Sequence, residues 1–125
     1  MDRIVIVEGL RTPYLKAGSD FRNVSAIELG RVALHELLVR TAVDPASLDE
    51  VIIGNVSQPV DSANPARVVA LRAGIAEHVP ARTVQRNCAS GMEAVTSAFM
   101  QITAGEGEII AAGGLMKYVM KKPGS

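Results

Sequence analysis

The chain has 125 residues, which is the length of one ordinary domain. Its 13 basic and 13 acidic side chains give a formal net charge of zero, which argues against a nucleic-acid partner and against electrostatic binding to a membrane. Hydrophobic residues make up 48% of the chain and aromatic residues only 3%, so we expect a folded protein with an aliphatic core.

The first predicted element is a strand. Residues 4–7 are continuously apolar and β-branched, which is typical of a strand buried on both faces of a parallel sheet. This run is shorter than the apolar core of a secretory signal, about 7–15 residues, or of a membrane-spanning helix, about 20 residues. We therefore expect a cytoplasmic protein that has no membrane partner.

A helix and a second strand follow. Ser25 and Glu28 have the spacing of a capping box, so they predict the start of a helix. Apolar residues at helical spacing continue this helix to about Arg40. Residues 51–53 are again β-branched and apolar, and they predict a second buried strand.

The next helix is marked at both ends. Asn64 predicts its N-cap, Pro65 its first turn and Gly74 its end. Residues 82–86 predict a third strand, and because they are less apolar than the other strands we place them at the edge of the sheet.

The last helix and strand end the regular pattern. Met92, Val95, Phe99 and Ile102 recur along one stripe of a third predicted helix. Residues 108–112 predict a fourth strand, which two glycines close. Strands that alternate with helices predict an α/β fold in three layers, with a mainly parallel sheet of four strands and helices on both faces. We assign residues 1–114 to the domain and 115–125 to a divergent tail.

Cys88 is the candidate nucleophile. It is the only cysteine, which excludes an internal disulfide and a cysteine-based zinc site. It lies between the third strand and the third helix among small residues, where a sharp turn exposes one side chain and a substrate can approach. The alternative interpretation is a buried structural cysteine that acts as a small apolar side chain.

Other residues indicate no cofactor or metal. No G-x-G-x-x-G or Walker pattern is present, and the aspartates are scattered along the chain, so we expect neither a cofactor nor a metal ion. For Arg67 and Arg86, surface charge or an ion pair is favoured over phosphate binding. His35 and His78 are the only histidines, and we expect both at the solvated surface.

The segment around Cys88 resembles the nucleophile motif of the thiolases, Asn87-Cys88-Ala89-Ser90-Gly91-Met92-Glu93-Ala94. Further segments are similar to thiolases in order and spacing: Arg11-Thr12-Pro13, Gly54-Asn55-Val56, Asn64-Pro65-Ala66-Arg67 and Ala111-Ala112-Gly113-Gly114. The resemblance implies a thiolase-like fold of which this chain is an incomplete N-terminal half. Residues 21–23 and 61–66 look most like the branch that includes the bacterial and mitochondrial fatty-acid oxidation thiolases.

The resemblance also implies an activity. In thiolases the matching cysteine takes the acyl group of an acyl-CoA, so Cys88 would form an acyl-thioester enzyme and its backbone N–H would be one of two oxyanion donors. The substrate would be a coenzyme A thioester, used for thiolytic cleavage of 3-ketoacyl-CoA or for Claisen condensation of acetyl-CoA. The family also pairs the edge that matches the third strand across a two-fold axis, which implies a homodimer.

The chain departs from the family in ways that limit this expectation. The Gly-His-Pro motif, the second cysteine and the Asn-Glu-Ala-Phe-like motif of thiolases do not occur in it. The alternative is therefore a non-catalytic truncated fragment, or a half-enzyme that needs a partner chain to supply the histidine and the second cysteine. We expect the chain by itself to be inactive.

Overall fold

The computed structural model describes residues 3–13, 23–59 and 61–115. Three helices and three strands alternate along these residues. They are α1 (Ala26–Thr41), β1 (Glu50–Asn55), α2 (Pro65–Arg72), β2 (Ala81–Val84), α3 (Ser90–Thr103) and β3 (Ile110–Leu115).

The three strands form one parallel sheet in the order β2-β1-β3. The central strand aligns Val51 with Ala81 on one side and with Ala111 on the other. Helices α1 and α2 pack together on one face of the sheet, and α3 packs on the other. This confirms the predicted α/β fold in three layers, and it confirms the edge position of the third predicted strand, here β2.

The core lies mainly between the sheet and the α1–α2 pair. Side chains of β1 alternate between the two faces, so Val51 and Ile53 join the α1–α2 core while Ile52 faces α3. The larger cluster includes Leu34 and Leu38 of α1 and Val69 of α2. In the described part of the chain, the buried cluster beneath α3 consists of Ile52, Ala94 and Ala98.

The predicted helix starts are confirmed by their caps. Ser25 Oγ accepts a hydrogen bond from the Glu28 N–H at 3.0 Å. The Glu28 carboxylate accepts from Arg31 Nε at 2.8 Å, so it pairs with Arg31 instead of completing the predicted capping box. At the second helix, Asn64 Oδ1 accepts from the Arg67 N–H at 3.4 Å.

Gly74 ends α2 as predicted. Its φ angle is +95°, which is the left-handed conformation that favours glycine. The Gly74 N–H donates to the Leu71 carbonyl at 3.2 Å, and the Ile75 N–H donates to the Ala70 carbonyl at 3.0 Å. These two bonds satisfy carbonyl groups at the helix end that have no partner inside the helix.

The first predicted strand is wrong for this structure. Residues 3–13 contain no helix or strand, and Val5, Ile6 and Val7 are exposed. A strand needs a neighbour for its N–H and C=O groups. Among the described residues β2 and β3 pair only with β1, so the sheet has three strands and not the predicted four.

Three residues of the apolar stripe predicted for α3, Met92, Val95 and Phe99, are exposed, whereas the fourth, Ile102, is half-buried. Met92 is 67% exposed and Phe99 is 52% exposed, whereas Ala94 is fully buried. The helix turns its small residues to the sheet because it lies close to β1, where large side chains do not fit. We call the exposed residues Met92, Val95, Phe99 and Met100 the outer face of α3.

Two strand boundaries also differ from the prediction. β2 covers Ala81–Val84 in place of residues 82–86, and β3 covers Ile110–Leu115 in place of 108–112. β3 continues through its two glycines because they pair with Ile53 and Gly54 of β1. Leu115, the first residue of the predicted tail, is buried at the end of β3. Residues 116–125 lie outside the described part of the chain.

Candidate active site

Cys88 lies in the short connection between β2 and α3. Its thiol is free and exposed to solvent. The connection is a tight turn, in which Asn87 has a φ angle of +47°. A non-glycine residue in this left-handed region is uncommon and must be held by its surroundings. The structure therefore presents Cys88 at a sharp strand-to-helix turn, and the thiol is not buried as the structural alternative requires.

Ser90 closes this turn from inside. Its hydroxyl accepts a hydrogen bond from the Arg86 N–H at 2.8 Å and donates to the Asn87 carbonyl at 2.6 Å. Only 3% of Ser90 is exposed. The backbone adds two further bonds, from the Ala89 N–H to the Arg86 carbonyl at 2.9 Å and from the Ser90 N–H to the Asn87 carbonyl at 3.1 Å.

The start of α3 offers free hydrogen-bond donors beside the turn. Its N-cap residue, Ala89, has no side chain that can accept a bond. Within the described ranges the N–H groups of Gly91 and Met92 make no hydrogen bond. Free N–H groups at a helix start carry partial positive charge and stabilise negative charge that lies close to them.

An ion pair spans the turn on its outer side. Arg86 Nη1 lies 3.0 Å from Glu93 Oε2, and the Arg86 side chain is 70% exposed. The ion pair predicted as one of the two roles for Arg86 is thus present. Arg67 differs from its prediction, because its guanidinium donates to the carbonyls of Val79 at 2.8 Å and Glu77 at 2.9 Å and so holds the loop before β2.

Gly54 allows the site to sit against the centre of the sheet. A Cβ atom built on Gly54 would lie 2.1 Å from the Ser90 carbonyl oxygen and 2.8 Å from the Gly91 nitrogen. Only glycine lets the backbone of β1 touch the backbone at the start of α3. The turn that carries Cys88 is therefore packed on the carboxyl end of the central strand.

Neither histidine lies at the candidate site. His78 Nε2 is 3.0 Å from the Ala46 carbonyl oxygen, and these two residues precede β2 and β1. Cys88 follows β2, so His78 lies at the opposite end of the parallel strands. His35 Nδ1 is 3.4 Å from the Ala73 carbonyl oxygen, on the sheet face opposite α3. Both histidines are exposed, as predicted, and neither is placed to act as a base for Cys88.

Among the described residues, two buried polar atoms beyond the predicted site have no hydrogen-bond partner. They are Asn55 Oδ1, at the carboxyl end of β1, and Ser62 Oγ, in the loop before α2. Asn55 is 2% exposed and Ser62 is 7% exposed. A polar residue at the carboxyl end of an apolar strand is the sequence signal that points to Asn55.

The described residues contain no cluster of three His, Cys, Asp or Glu side chains that could hold a metal ion. Two of the scattered aspartates bond backbone N–H groups instead. Asp44 Oδ1 accepts from Ala46 at 2.9 Å, and Asp49 Oδ2 accepts from Glu108 at 2.7 Å. In this part of the chain no helix is long and apolar enough to cross a membrane.

Comparison with protein families gives one match over nearly the whole chain. The profile described as "Thiolase, N-terminal domain" matches residues 4–121. The matched range includes Cys88, the turn around it and all the described helices and strands.

Curated proteins and a solved structure are also similar. A "Probable acetyl-CoA acyltransferase" of Staphylococcus epidermidis is 42% identical over 115 residues, which cover 92% of this chain and 29% of that protein. A protein of the same name from Staphylococcus aureus strain NCTC 8325 is 40% identical over the same shares. The crystal structure of the Bacillus anthracis acetyl-CoA acetyltransferase matches with a TM-score of 0.75 and 41% identity, over 85% of this chain and 28% of that one.

Proposed function

Because this chain belongs to the thiolase family, we propose that it is the N-terminal part of an acyl-CoA C-acyltransferase in which Cys88 accepts the acyl group. The observation that carries the proposal is the exposed Cys88 thiol on a tight turn directly before a helix whose first N–H groups are free. The chain spans 29% of the length of its curated relatives, so the proposal concerns the larger protein of which these residues form a part.

The chemistry follows from a sulfur nucleophile. In the degradative direction the Cys88 sulfur attacks the 3-keto carbon of a 3-ketoacyl-CoA, and the bond between carbons 2 and 3 breaks. Acetyl-CoA leaves as a carbanion that takes up a proton, and the acyl group stays on Cys88 as a thioester. The thiol of a second coenzyme A then attacks this thioester and releases Cys88. Claisen condensation is the same sequence in reverse.

The site supports the first of these steps through its backbone. Attack on the carbonyl carbon places negative charge on the carbonyl oxygen, which needs fixed hydrogen-bond donors. The backbone N–H of Cys88 makes no hydrogen bond within the described residues, so it is free to be one such donor. Neither His35 nor His78 is placed to be the general base or the acid for carbon 2, so in this proposal both groups come from outside the described residues.

A half-enzyme that needs a partner chain is the second candidate function. The outer face of α3 favours it, because four large apolar side chains without charge lie on the helix that begins two residues after Cys88. Exposed apolar surface of this kind is typical of a face that another polypeptide covers. A partner chain on this face would lie beside Cys88 and could supply the histidine and the second cysteine.

Acetyl transfer to Cys88 tests the proposed function. Two samples are incubated with acetyl-CoA: the chain alone, and the chain mixed with the remaining part of a homologous thiolase. The mass of the chain in each sample is then measured by intact-mass spectrometry. We expect the mixture to gain the mass of one acetyl group and the Cys88→Ser variant to gain none, since the chain has a single cysteine. The chain alone should gain little or none.

Two results would count against these proposals. An acetylated Cys88→Ser chain, or an assembled enzyme without acetyl on Cys88, would contradict the role of Cys88. Steady thiolysis by the chain alone would contradict the need for a partner.

The Cys88→Ser variant should unfold at the same denaturant concentration as the parent, because an exposed side chain of similar volume is replaced.

We further propose a homodimer through the outer edge of β2, in a cytoplasmic protein. β2 is an outer strand of the sheet, and no described strand pairs with its outer edge. Unpaired edges are a liability that a symmetric partner removes. Sedimentation at a concentration of about tens of micromolar, which is well above the dissociation constant of a moderately stable dimer, should show the dimer. Monomer alone would contradict it.

A further inference from the structure

The Ser90 hydroxyl, at the start of α3, makes its hydrogen bonds to the preceding turn and not to its own helix. A serine at the start of a helix commonly caps its own first N–H groups. Here the Ser90 hydroxyl points back, and both of its bonds go to residues that precede Cys88, to the Arg86 N–H and the Asn87 carbonyl. Its donor and its acceptor capacity are therefore both used to hold the turn.

The backbone conformation of the turn requires hydrogen bonds that stabilise it. Asn87 adopts a φ of +47°, which costs free energy for a residue with a Cβ atom. The other side chain that bonds the backbone of residues 86–88 belongs to Gln85, whose Oε1 accepts from the Asn87 N–H at 3.1 Å and which is exposed. Ser90 is buried, so its bonds are shielded from competition with water.

Ser90 itself packs against the central strand of the sheet. Its carbonyl is in contact with the backbone of β1 at Gly54, in the centre of the sheet. Any movement of the Cys88 turn relative to the start of α3 must therefore stretch the two Ser90 bonds. Ser90 is thus the buried side chain that links the turn to the central strand, and the exposed Arg86–Glu93 ion pair adds a second link to α3.

We propose that Ser90 is the positioning residue of Cys88, and that its hydroxyl holds the thiol in one place relative to the free N–H groups of α3. Ser90 does not touch the substrate and acts only through the turn. This inference rests on the proposed function, because positioning matters for catalysis only if Cys88 is the acyl acceptor.

Three variants of the chain test this role. Ser90→Ala removes both bonds, Ser90→Thr keeps a hydroxyl in the same place, and Thr96→Ala is the control. Thr96 lies on the same helix, and its exposed hydroxyl donates only to the Glu93 carbonyl, at 3.2 Å. For each variant we measure the hydrogen-exchange rate of the Arg86 amide by NMR and the rate at which iodoacetamide alkylates Cys88.

The expected pattern is specific to the turn. In Ser90→Ala the Arg86 amide exchanges about tenfold faster, the factor expected when an ordinary hydrogen bond is lost, while the amides of β1 keep their rates. Alkylation of Cys88 also slows, because the turn no longer holds the sulfur in one exposed position. Ser90→Thr restores both rates, and Thr96→Ala leaves both unchanged.

Several results would overturn the proposal. One is a Ser90→Ala chain whose Arg86 exchange rate and Cys88 alkylation rate equal those of the parent. Another is a folded Ser90→Thr chain in which neither rate returns to the parent value. A third is a Ser90→Ala chain that no longer folds, which would show that the whole fold needs the hydroxyl. Acetylation is measured separately in the assembled enzyme. A Cys88 that responds to Ser90 but never takes an acetyl group would contradict the proposed function and leave the positioning role standing.

Discussion

Gly54 determines how closely the central strand and the third helix approach each other. Its missing side chain leaves room for the Ser90 carbonyl and the Gly91 nitrogen, both of them backbone atoms that cannot move aside separately. The same contact supports the turn that carries Cys88. A residue with no side chain therefore contributes to the site as much as the polar residues do.

Gly54→Ala should destabilise the fold. The added Cβ would meet the Ser90 carbonyl oxygen at 2.1 Å, so α3 must shift. Overpacking of this kind costs about 1–3 kcal/mol or more of unfolding free energy. Denaturant unfolding followed by circular dichroism measures the loss, and the alkylation rate of Cys88 should change with it.

Gly113→Ala is the matched control for that substitution. Gly113 lies in the neighbouring strand β3, and a Cβ built on it meets nothing within 4 Å. Its unfolding free energy should stay within about 0.5 kcal/mol of the parent. Equal losses in the two variants would show that the cost arises from strand glycines in general and not from the contact with Ser90.

At the scale of elements, Asp49 ties the start of β1 to the start of β3. Asp49 Oδ2 accepts hydrogen bonds from the N–H groups of Glu108 at 2.7 Å and Ile109 at 3.0 Å. The Asp49 N–H donates in turn to the Ile109 carbonyl at 2.8 Å. These bonds favour the ionised carboxylate and lower the pKa of Asp49, the Glu108 N–H having the larger effect.

Stability should therefore depend on the ionisation of Asp49. Its pKa is lower in the folded chain than its ordinary value of 3.8, so its contribution is fully present above that value and is lost as the pH falls through the folded pKa. Asp49→Asn should be less stable than the parent at neutral pH, and the difference should shrink in acid. Denaturant midpoints measured across the acid range check this.

Asp61→Asn provides the control, because Asp61 is exposed and accepts no hydrogen bond from another described residue. It should leave the denaturant midpoints of the parent unchanged at every pH. A difference between parent and Asp49→Asn that stays constant into acid would contradict a role for the ionised Asp49 carboxylate.

At the scale of the whole molecule, the two faces of the sheet are covered unequally. One face packs against α1 and α2 and encloses most of the core, whereas the other carries α3 alone. The large apolar side chains of α3 point away from the sheet. The described part of the chain therefore exposes large apolar side chains along α3, the helix that begins two residues after Cys88.

Substitution on this outer face should leave folding intact and reduce association. Phe99→Lys places a charge where the side chain is already 52% exposed, so the unfolding free energy should change by less than about 1 kcal/mol. Binding of a hydrophobic dye and self-association in solution should both decrease. Light scattering and dye fluorescence measure them.

Ala94→Lys, on the inner side of the same helix, should have the opposite effect. Ala94 is fully buried against Ile52, so a lysine there would place a charge in the core and unfold the chain. If both lysine variants remained folded, or if both unfolded, the assignment of inner and outer sides of α3 would be wrong.

Structural features that depend on residues close together in the chain could be predicted from the sequence. Ser25 and Asn64 mark helix starts, and Gly74 marks a helix end, because caps and left-handed turns involve atoms only a few residues apart. The alternation of elements was enough to predict the parallel sheet and its three layers, and the lower apolar content of residues 82–86 was enough to predict the edge position of β2. The motif around Cys88 was enough to indicate the family.

Structural features that depend on contacts between residues far apart in the chain could be seen only in the folded structure. Residues 4–7 have the composition of a strand, yet they form none here because no described strand lies beside them. Most of the apolar stripe of α3 faces outward because β1 at Gly54 leaves room only for small side chains. The tendency to form a helix or a strand depends on the residues of the segment itself. Strand pairing and side-chain burial depend on the residues that pack against the segment in the fold.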